Sequence, residues 1–409
     1  MYRILLSLLI CVIFTAPVYS AKKKRNGAPS QSVVLQGPLQ GTKPEAPNTT
    51  IPVDILVLSQ QMILVDYETG TVLLEKNAHV PTHPSSMTKI LTAMVVMDKI
   101  KAGAIQADQL FTVSKNAWRL EGSSMMLNIG NQVRVDDLLK GLIIQSGNDA
   151  SVTLAEGCSG SEGAFAAEMT RKAHALGAVN THFKNASGLP QDDHLTTVRD
   201  LATIAIHAVR DYPEYYHIYS EKEFTHNNIK QGNRNPLLYR NMGCDGIKTG
   251  HSNIAGYGMV ASCLNQSNRF ILVINGLPNM QARADEAVGI LTWAMNTFVN
   301  HVAYKKNEII GKVPLLYGKE NFVSVTVASD TVVTIARSGV QDITKSMTYA
   351  DNLKAPLEKG QVVGTLTLTS SALPKPVEFP LVAFETVEKG NFIKRFVDFL
   401  GSVFFGKKG

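Results

Sequence analysis

The sequence predicts an α+β protein followed by a small all-β region and an amphipathic tail. Three features of the chain point there. Between residues 51 and 300, β-type segments fall at the two ends and helical periodicity fills the middle. From about Asn307 to Glu388, short β-branched runs alternate with Gly, Asp and Pro turns. The last twenty residues return to helical periodicity. A segment with strands at both ends around a helical centre closes one sheet from its two ends. The chain has 409 residues, enough for two or three domains.

The elements follow in order. Met1-Tyr2-Arg3 is a positive start, Ile4–Ala16 is an apolar run, and Val18-Tyr19-Ser20 offers small residues for cleavage after Ser20. This is the pattern of a secretory signal peptide over residues 1–20. The apolar run is too short for a membrane-spanning helix, which needs about 20 residues. Residues 21–50 hold Lys22-Lys23-Lys24-Arg25 and then Pro29, Pro38, Pro44 and Pro47 with little apolar periodicity. They are expected to form a disordered linker. Met62–Tyr67 and Thr71–Leu74, joined by Glu68-Thr69-Gly70, read as a hairpin. Met87, Ile90, Leu91, Met94 and Met97 share one stripe of a helix over residues 86–99. Helical patterns continue at Val135–Ile144, Ala150–Ala155, Gly163–Ala175 and Thr197–Val209. Strands return at Gly258–Cys263 and Phe270–Ile274, and a helix is expected from about Ala284 to Val299. The region 307–388 then reads as a sandwich-like or barrel-like β domain with a structural role. In the tail, 389–409, Phe392, Phe396, Phe399, Leu400, Val403 and Phe404 share one face. Lys394, Arg395 and Asp398 share the other, and Lys407-Lys408 follows. This block is too short to cross a bilayer. A helix lying on a membrane surface fits it, and packing on the protein's own core is the alternative.

Composition excludes little but is useful. Net charge is +6, with 18% charged and 44% hydrophobic residues. Basic residues are dispersed apart from Lys22–Arg25, so nucleic acid is not an expected partner. Without the leader, Cys158, Cys244 and Cys263 remain, so at most one bridge can form. There is no CxxC, and His79 and His83 are separated by Pro81, so no metal site is expected. Gly157-Cys158-Ser159-Gly160 starts like a lipase-type GxSxG, but position 161 is Ser.

Chemistry centres on Ser86-Met87-Thr88-Lys89. At i and i+3 near a helix start, the hydroxyl and the amine share a face. The positive end of the helix dipole also favours developing negative charge at Ser86. A lysine acts as base only when neutral, and burial or a second cation lowers its pKa. Lys248-Thr249-Gly250 supplies that cation, in a glycine-bounded stretch ahead of the strand near Gly258. Ser146-Gly147-Asn148 lies between two helical patterns. Each motif alone is weak. Ser20-Ala21-Lys22-Lys23 is also SxxK, Ser114-Lys115-Asn116 is also SxN, and Ser146 could be a helix cap. The order SxxK, SxN, KTG beginning at 86, 146 and 248 is much more specific.

With these motifs, and with "GSSMMLNIG" at 122–130, "NRNPLLY" at 233–239 and "DGIKTGH" at 245–251, the chain resembles the low-molecular-mass penicillin-binding proteins of the serine-type D-alanyl-D-alanine carboxypeptidase family. The resemblance covers nearly the whole chain. It implies a β-lactamase/transpeptidase-like domain, an antiparallel sheet with a helical subdomain, over 51–300. It also implies a serine acyl-enzyme with no cofactor. Ser86 would attack the penultimate D-alanine of a peptidoglycan stem peptide, and Lys89 would take its proton. Ser146 would relay a proton to the leaving D-alanine, and Asn148 would orient the substrate amide. The N–H groups of Ser86 and His251 would form the oxyanion hole. Lys248 and Thr249 of the Lys248-Thr249-Gly250 motif would hold the terminal carboxylate, assisted by Arg283. β-Lactam antibiotics would be a second class of partner. The implied location is periplasmic, bound peripherally to the outer face of the inner membrane. Cys244 departs from the family's usual aliphatic residue. A serine β-lactamase shares the three motifs, but no Glu stands in a convincing deacylating context between the second and third. A catalytically silent envelope scaffold is the third reading.

Overall fold

The computed structural model describes residues 57–266 and 268–404. The expected signal peptide (1–20), linker (21–50) and basic end Lys407-Lys408 lie outside the described residues.

Gln61–Asp66 (β1) and Val72–Lys76 (β2) form the hairpin. The other strands of this sheet come from far along the chain: Cys244–Ser252 (β3), Gly256–Asn265 (β4) and Asn268–Leu277 (β5). β1 pairs antiparallel with β5, giving the order β2-β1-β5-β4-β3. The two ends of the segment therefore share one sheet, and β3 is its edge. β1 is apolar throughout because both faces are covered. Ile63 and Val65 join one core, while Met62 and Leu64 join the other.

Five helices pack on the first face: Lys89–Lys101 (α1), Val135–Ile143 (α2), Asn148–Ser159 (α3), Glu162–Ala175 (α4) and Val198–Arg210 (α5). Met94, Leu138, Leu154, Phe165 and Leu201 meet there. Met280–Thr297 (α6) covers the second face through Ala287, Ile290, Leu291 and Ala294. The first nine residues of α1, Lys89–Met97, are all buried, so α1 is a core helix carrying a lysine.

Four boundaries differ from the sequence reading. The expected helix at 86 opens as a 3-10 turn, Ser85–Thr88, and becomes α-helical at Lys89. Ser85 has φ +49, which an α-helix cannot contain. α6 starts at Met280, because Asn279 Oδ1 accepts from Ala282 N–H at 2.8 Å and caps it. Arg283 thus lies inside the helix, not ahead of it. The helix also ends at Thr297, and Val299 belongs to the strand Phe298–Val302 (β6). The KTG stretch, read as lying ahead of a strand, is itself in β3.

Cys244 and Cys263 stand opposite each other on β3 and β4 and form a disulfide, leaving Cys158 free. The bridge closes a loop with a sequence separation of 19. Replacing both cysteines by serine is expected to cost about 3 kcal/mol, read from guanidinium unfolding against the wild type.

The second region contains Gly311–Pro314 (β7), Phe322–Val327 (β8), Val332–Ala336 (β9), Thr344–Tyr349 (β10), Val362–Thr369 (β11) and Val377–Ala383 (β12). Five of these form a sheet of order β7-β8-β12-β11-β10, and β6 pairs with β9. Val323, Val325, Leu366, Leu368 and Leu381 fill its core. Asp66, at the end of β1, accepts from Asn300 Nδ2 of β6 at 3.0 Å, joining the two regions. Burial holds its carboxyl above the usual range.

The tail forms a helix, Phe392–Phe404 (α7). Its polar side faces the protein: Asp398 Oδ2 accepts from Tyr317 N–H at 2.8 Å, and Lys394 Nζ meets Asn321 Oδ1. Phe392 is 78% and Ile393 73% exposed, and Phe396 and Val397 are exposed too. None of these residues belongs to the hydrophobic cluster of the second region.

Candidate active site

Lys89 is the centre of the site. It is completely buried, and its Nζ reaches three oxygens: Ser86 Oγ at 2.9 Å, Asn148 Oδ1 at 2.8 Å and the Ser187 carbonyl at 2.5 Å. The 3-10 turn into α1 places Ser86 over Lys89. Burial is the main force pulling the amine down, to about 7, and Arg234 pulls in the same direction. Asp149 and Glu162 act against them. A neutral Lys89 directs two hydrogens at Asn148 and Ser187, which leaves its lone pair for the Ser86 hydroxyl.

The SxN motif reaches this centre through a tight turn. Ser146 is buried with φ +61, and Asn148 starts α3. Ser146 is not the helix cap, since the capping position is Gly147. Both ends of the Asn148 amide are engaged within the protein, because Nδ2 donates to the Glu121 carbonyl at 2.7 Å. That bond also fixes which end of the amide faces Lys89. Asn148 therefore holds the Lys89 amine in place, a contact the sequence reading did not give it.

Asp149 holds the neighbouring loop. Its Oδ1 accepts from Met125 N–H at 2.8 Å, and its Oδ2 accepts from Ser124 Oγ at 2.7 Å and Leu127 N–H at 3.1 Å. Asp149→Ala strands three buried donors, including Ala150 N–H. A loss of about 2–4 kcal/mol is expected by urea unfolding, together with slower acylation by penicillin.

A third segment, Asn185–Gly188, closes the site from below. Gly188 has φ +82, and a Cβ there would lie 1.8 Å from the Ser85 carbonyl oxygen. Only glycine lets this loop approach closely enough to bring the Ser187 carbonyl to Lys89. The loop is also tied to α1 by Thr92 Oγ1, which donates to the Ala186 carbonyl at 2.8 Å. His194 Nε2 meets Thr88 Oγ1 at 2.9 Å, while its Nδ1 accepts from Lys184 N–H.

The edge strand β3 forms the other wall. Gly250 lets it pass the 3-10 turn, since a Cβ there would sit 3.0 Å from the Pro84 carbonyl and 3.2 Å from Ser85 Cβ. Ser85 Oγ donates to Ser252 Oγ at 3.1 Å. Lys248 and Thr249 are buried, whereas His251 is exposed with its ring 4.0 Å from that of Tyr257. Burial, followed by Lys89, Arg234 and Arg283, holds Lys248 well below its ordinary range. The leading charge felt by Lys89 is thus Arg234, not Lys248 as the sequence suggested. Arg283 is buried and held to about 10, with its guanidinium 5.9 Å from the Tyr257 ring centre. Its buried Nε has no hydrogen-bond partner among the described residues.

Sequence reasoning missed several members. Arg234 lay within a quoted motif but received no role; its Nη1 donates to Ser123 Oγ at 2.5 Å. Glu162 lies between the second and third motifs, and its Oε1 accepts from Ala186 N–H at 3.0 Å beside the Ser187 loop. The run Asn185-Ala186-Ser187-Gly188 was the available signal, as a glycine in a polar turn. One decoy has a structural role: Ser114 caps a short helix, accepting from Ala117 N–H at 3.0 Å.

Comparison with known proteins agrees with this geometry. Residues 47–279 match the family model described as D-alanyl-D-alanine carboxypeptidase. Residues 298–389 match that of the penicillin-binding protein 5 C-terminal domain, starting where β6 starts. The chain is 38% identical over 365 residues to D-alanyl-D-alanine carboxypeptidase DacA of Escherichia coli (strain K12), covering 87% of this chain and 90% of the relative. To DacC of the same organism it is 40% identical over 347 residues, covering 83% and 86%. The crystal structure of penicillin binding protein 5 from Haemophilus influenzae superposes with a TM-score of 0.77 at 34% identity, over 83% of this chain and 100% of that one. A buried lysine aimed at a serine, on this sheet and with these matches along both regions, places the chain in the D-alanyl-D-alanine carboxypeptidase family.

Proposed function

We propose that this protein is a serine-type D-Ala-D-Ala carboxypeptidase that trims the terminal D-alanine from peptidoglycan stem peptides. The observation that carries this reading is the Lys89 arrangement: 2.9 Å from Ser86 Oγ, with its two hydrogens directed at Asn148 and Ser187. Ser86 Oγ attacks the carbonyl carbon of the penultimate D-alanine as its proton passes to Lys89 Nζ. The tetrahedral oxyanion is held by the N–H groups of Ser86 and His251. The C–N bond then breaks as the proton on Lys89 passes through Ser146 to the departing amine. Water cleaves the ester, returning Ser86 and releasing the shortened stem.

Substrate choice follows from charge. Lys248 feels the positive charges of Arg234 and Arg283, and Arg283 keeps a buried N–H unpartnered among the described residues. A terminal carboxylate answers all three, and its arrival restores the charge that burial opposes at Lys248. The open edge of β3 suits an extended peptide laid alongside it. A β-lactam offers the same carboxylate and a strained carbonyl, so it would acylate Ser86.

The outward Phe face of α7 supports peripheral attachment to the outer face of the inner membrane, after export directed by residues 1–20. Among the described residues, no helix is long and apolar enough to cross a membrane.

Intact mass after penicillin treatment, run beside a pentapeptide ending in D-Ala-D-Ala, tests the reaction. A persistent adduct with D-alanine release is expected. Rapid adduct loss with antibiotic turnover would indicate a β-lactamase instead. No adduct, or an undiminished one in Ser86→Ala, would remove the mechanism.

A further inference from the structure

A cavity of about 430 Å³ lies between α7 and the β-rich region. Its walls include Tyr317, Lys354, Lys389, Phe392, Arg395 and Phe396. Three are cations and three are aromatic. They are brought together by backbone pairing, because the segment around Tyr317 runs between two others. Leu316 bridges to Lys354 on one side, and Gly318 bridges to Lys389 on the other. Arg395 descends from α7.

The charges here are unbalanced. No carboxylate lines the cavity, and none of its three cations makes an ion pair among the described residues. The acids beside Lys389 and Arg395 are engaged elsewhere. Glu388 pairs with Lys319, and Asp398 accepts from Tyr317 N–H. Lys354 lies over the Tyr317 ring, 5.8 Å from its centre. Phe392 and Phe396 line the cavity yet stay 78% and 52% exposed, so the cavity opens among the rings that face outward.

We infer that this cavity binds the headgroup phosphate of an anionic phospholipid. Lys354, Lys389 and Arg395 hold the phosphate, and the acyl chains lie along Phe392 and Phe396. The site rests on the membrane-surface reading of α7 and adds a lipid class to it. Mixed chemistry favours a lipid over free phosphate, because half the lining is aromatic and serves an apolar chain.

Co-sedimentation of the full protein with vesicles tests this. One set is phosphatidylcholine alone, and the other carries a minority of phosphatidylglycerol. The wild type is expected to bind the anionic set more tightly. Lys354→Gln with Lys389→Gln should weaken that binding roughly 30-fold, as each cation near an anionic surface contributes about fivefold. Binding to neutral vesicles and release of D-alanine should not change, the latter showing an intact fold. A control, Lys312→Gln with Lys375→Gln, removes equal charge elsewhere and should lose much less. Equal losses in the two variants, or no loss in the first, would overturn the pocket while leaving membrane attachment standing. No binding to either vesicle would overturn both. Calorimetric titration with inorganic phosphate should show no saturable binding. Saturable phosphate binding without vesicle discrimination would assign the cavity to free phosphate and overturn the lipid.

Discussion

Lys89→Met is expected to lower the rate of acylation by penicillin by roughly 10³-fold, within the 10²–10⁴ range for a general base. Methionine fills the same volume without a proton acceptor, so the serine loses its base while the core keeps its packing. The wild-type rate should rise about tenfold per pH unit below 7 and level off above it. The sign follows from Lys89, whose amine titrates at about 7 and acts only when neutral. The same group affects stability in the opposite region of the pH scale. Between about 7 and its ordinary value of 10.5, the unfolded chain holds a proton that the folded one lacks. Lys89 therefore makes stability rise with pH across that window. Stopped-flow acylation from pH 5 to 9 checks the rate. A flat profile between pH 5 and 7 would remove Lys89 from the role of base.

Gly188→Ala is expected to reduce both stability and activity. A Cβ would fall 1.8 Å from the Ser85 carbonyl oxygen, 2.4 Å from its carbon and 2.9 Å from Thr88 Oγ1. These are backbone and motif atoms in a buried turn, so the loop must retreat. Overpacking and a left-handed alanine together cost about 2–4 kcal/mol. Retreat draws the Ser187 carbonyl from Lys89 Nζ and frees the amine to turn from Ser86. A misplacement of about 1 Å near reacting groups lowers rates by roughly 10²-fold. Urea unfolding and penicillin acylation measure the two effects separately. A variant with wild-type acylation would show that Ser187 does not orient the base.

Several features were legible because their signals are local. β1 and β2 announce themselves by an apolar run, a Gly turn and a second run. The helices of the central section show their buried stripes. Ser86 and Lys89 are three residues apart, so any helical turn places them together. Boundaries were less legible where one residue outweighed the local pattern. Ser85 at positive φ delays the α-helix by one turn, and the Asn279 cap starts α6 early enough to include Arg283. The run Phe298-Val299 continues a helical stripe on paper, yet pairing with β9 makes it a strand.

Sequence alone determined the class of fold, the order of its elements and the three motifs from which the chemistry starts. Tertiary structure decided what surrounds Lys89. The Ser187 carbonyl, the Asn148 amide and the Arg234 charge come from segments 59 to 145 residues away, and no periodicity joins them. The Cys244–Cys263 bridge likewise follows from the register of β3 against β4. The reason is physical. Periodicity reports which face of an element is covered, while a pKa depends on the complete shell of groups around a buried atom. That shell exists only once the sheet has closed from both ends and the helices have packed upon it.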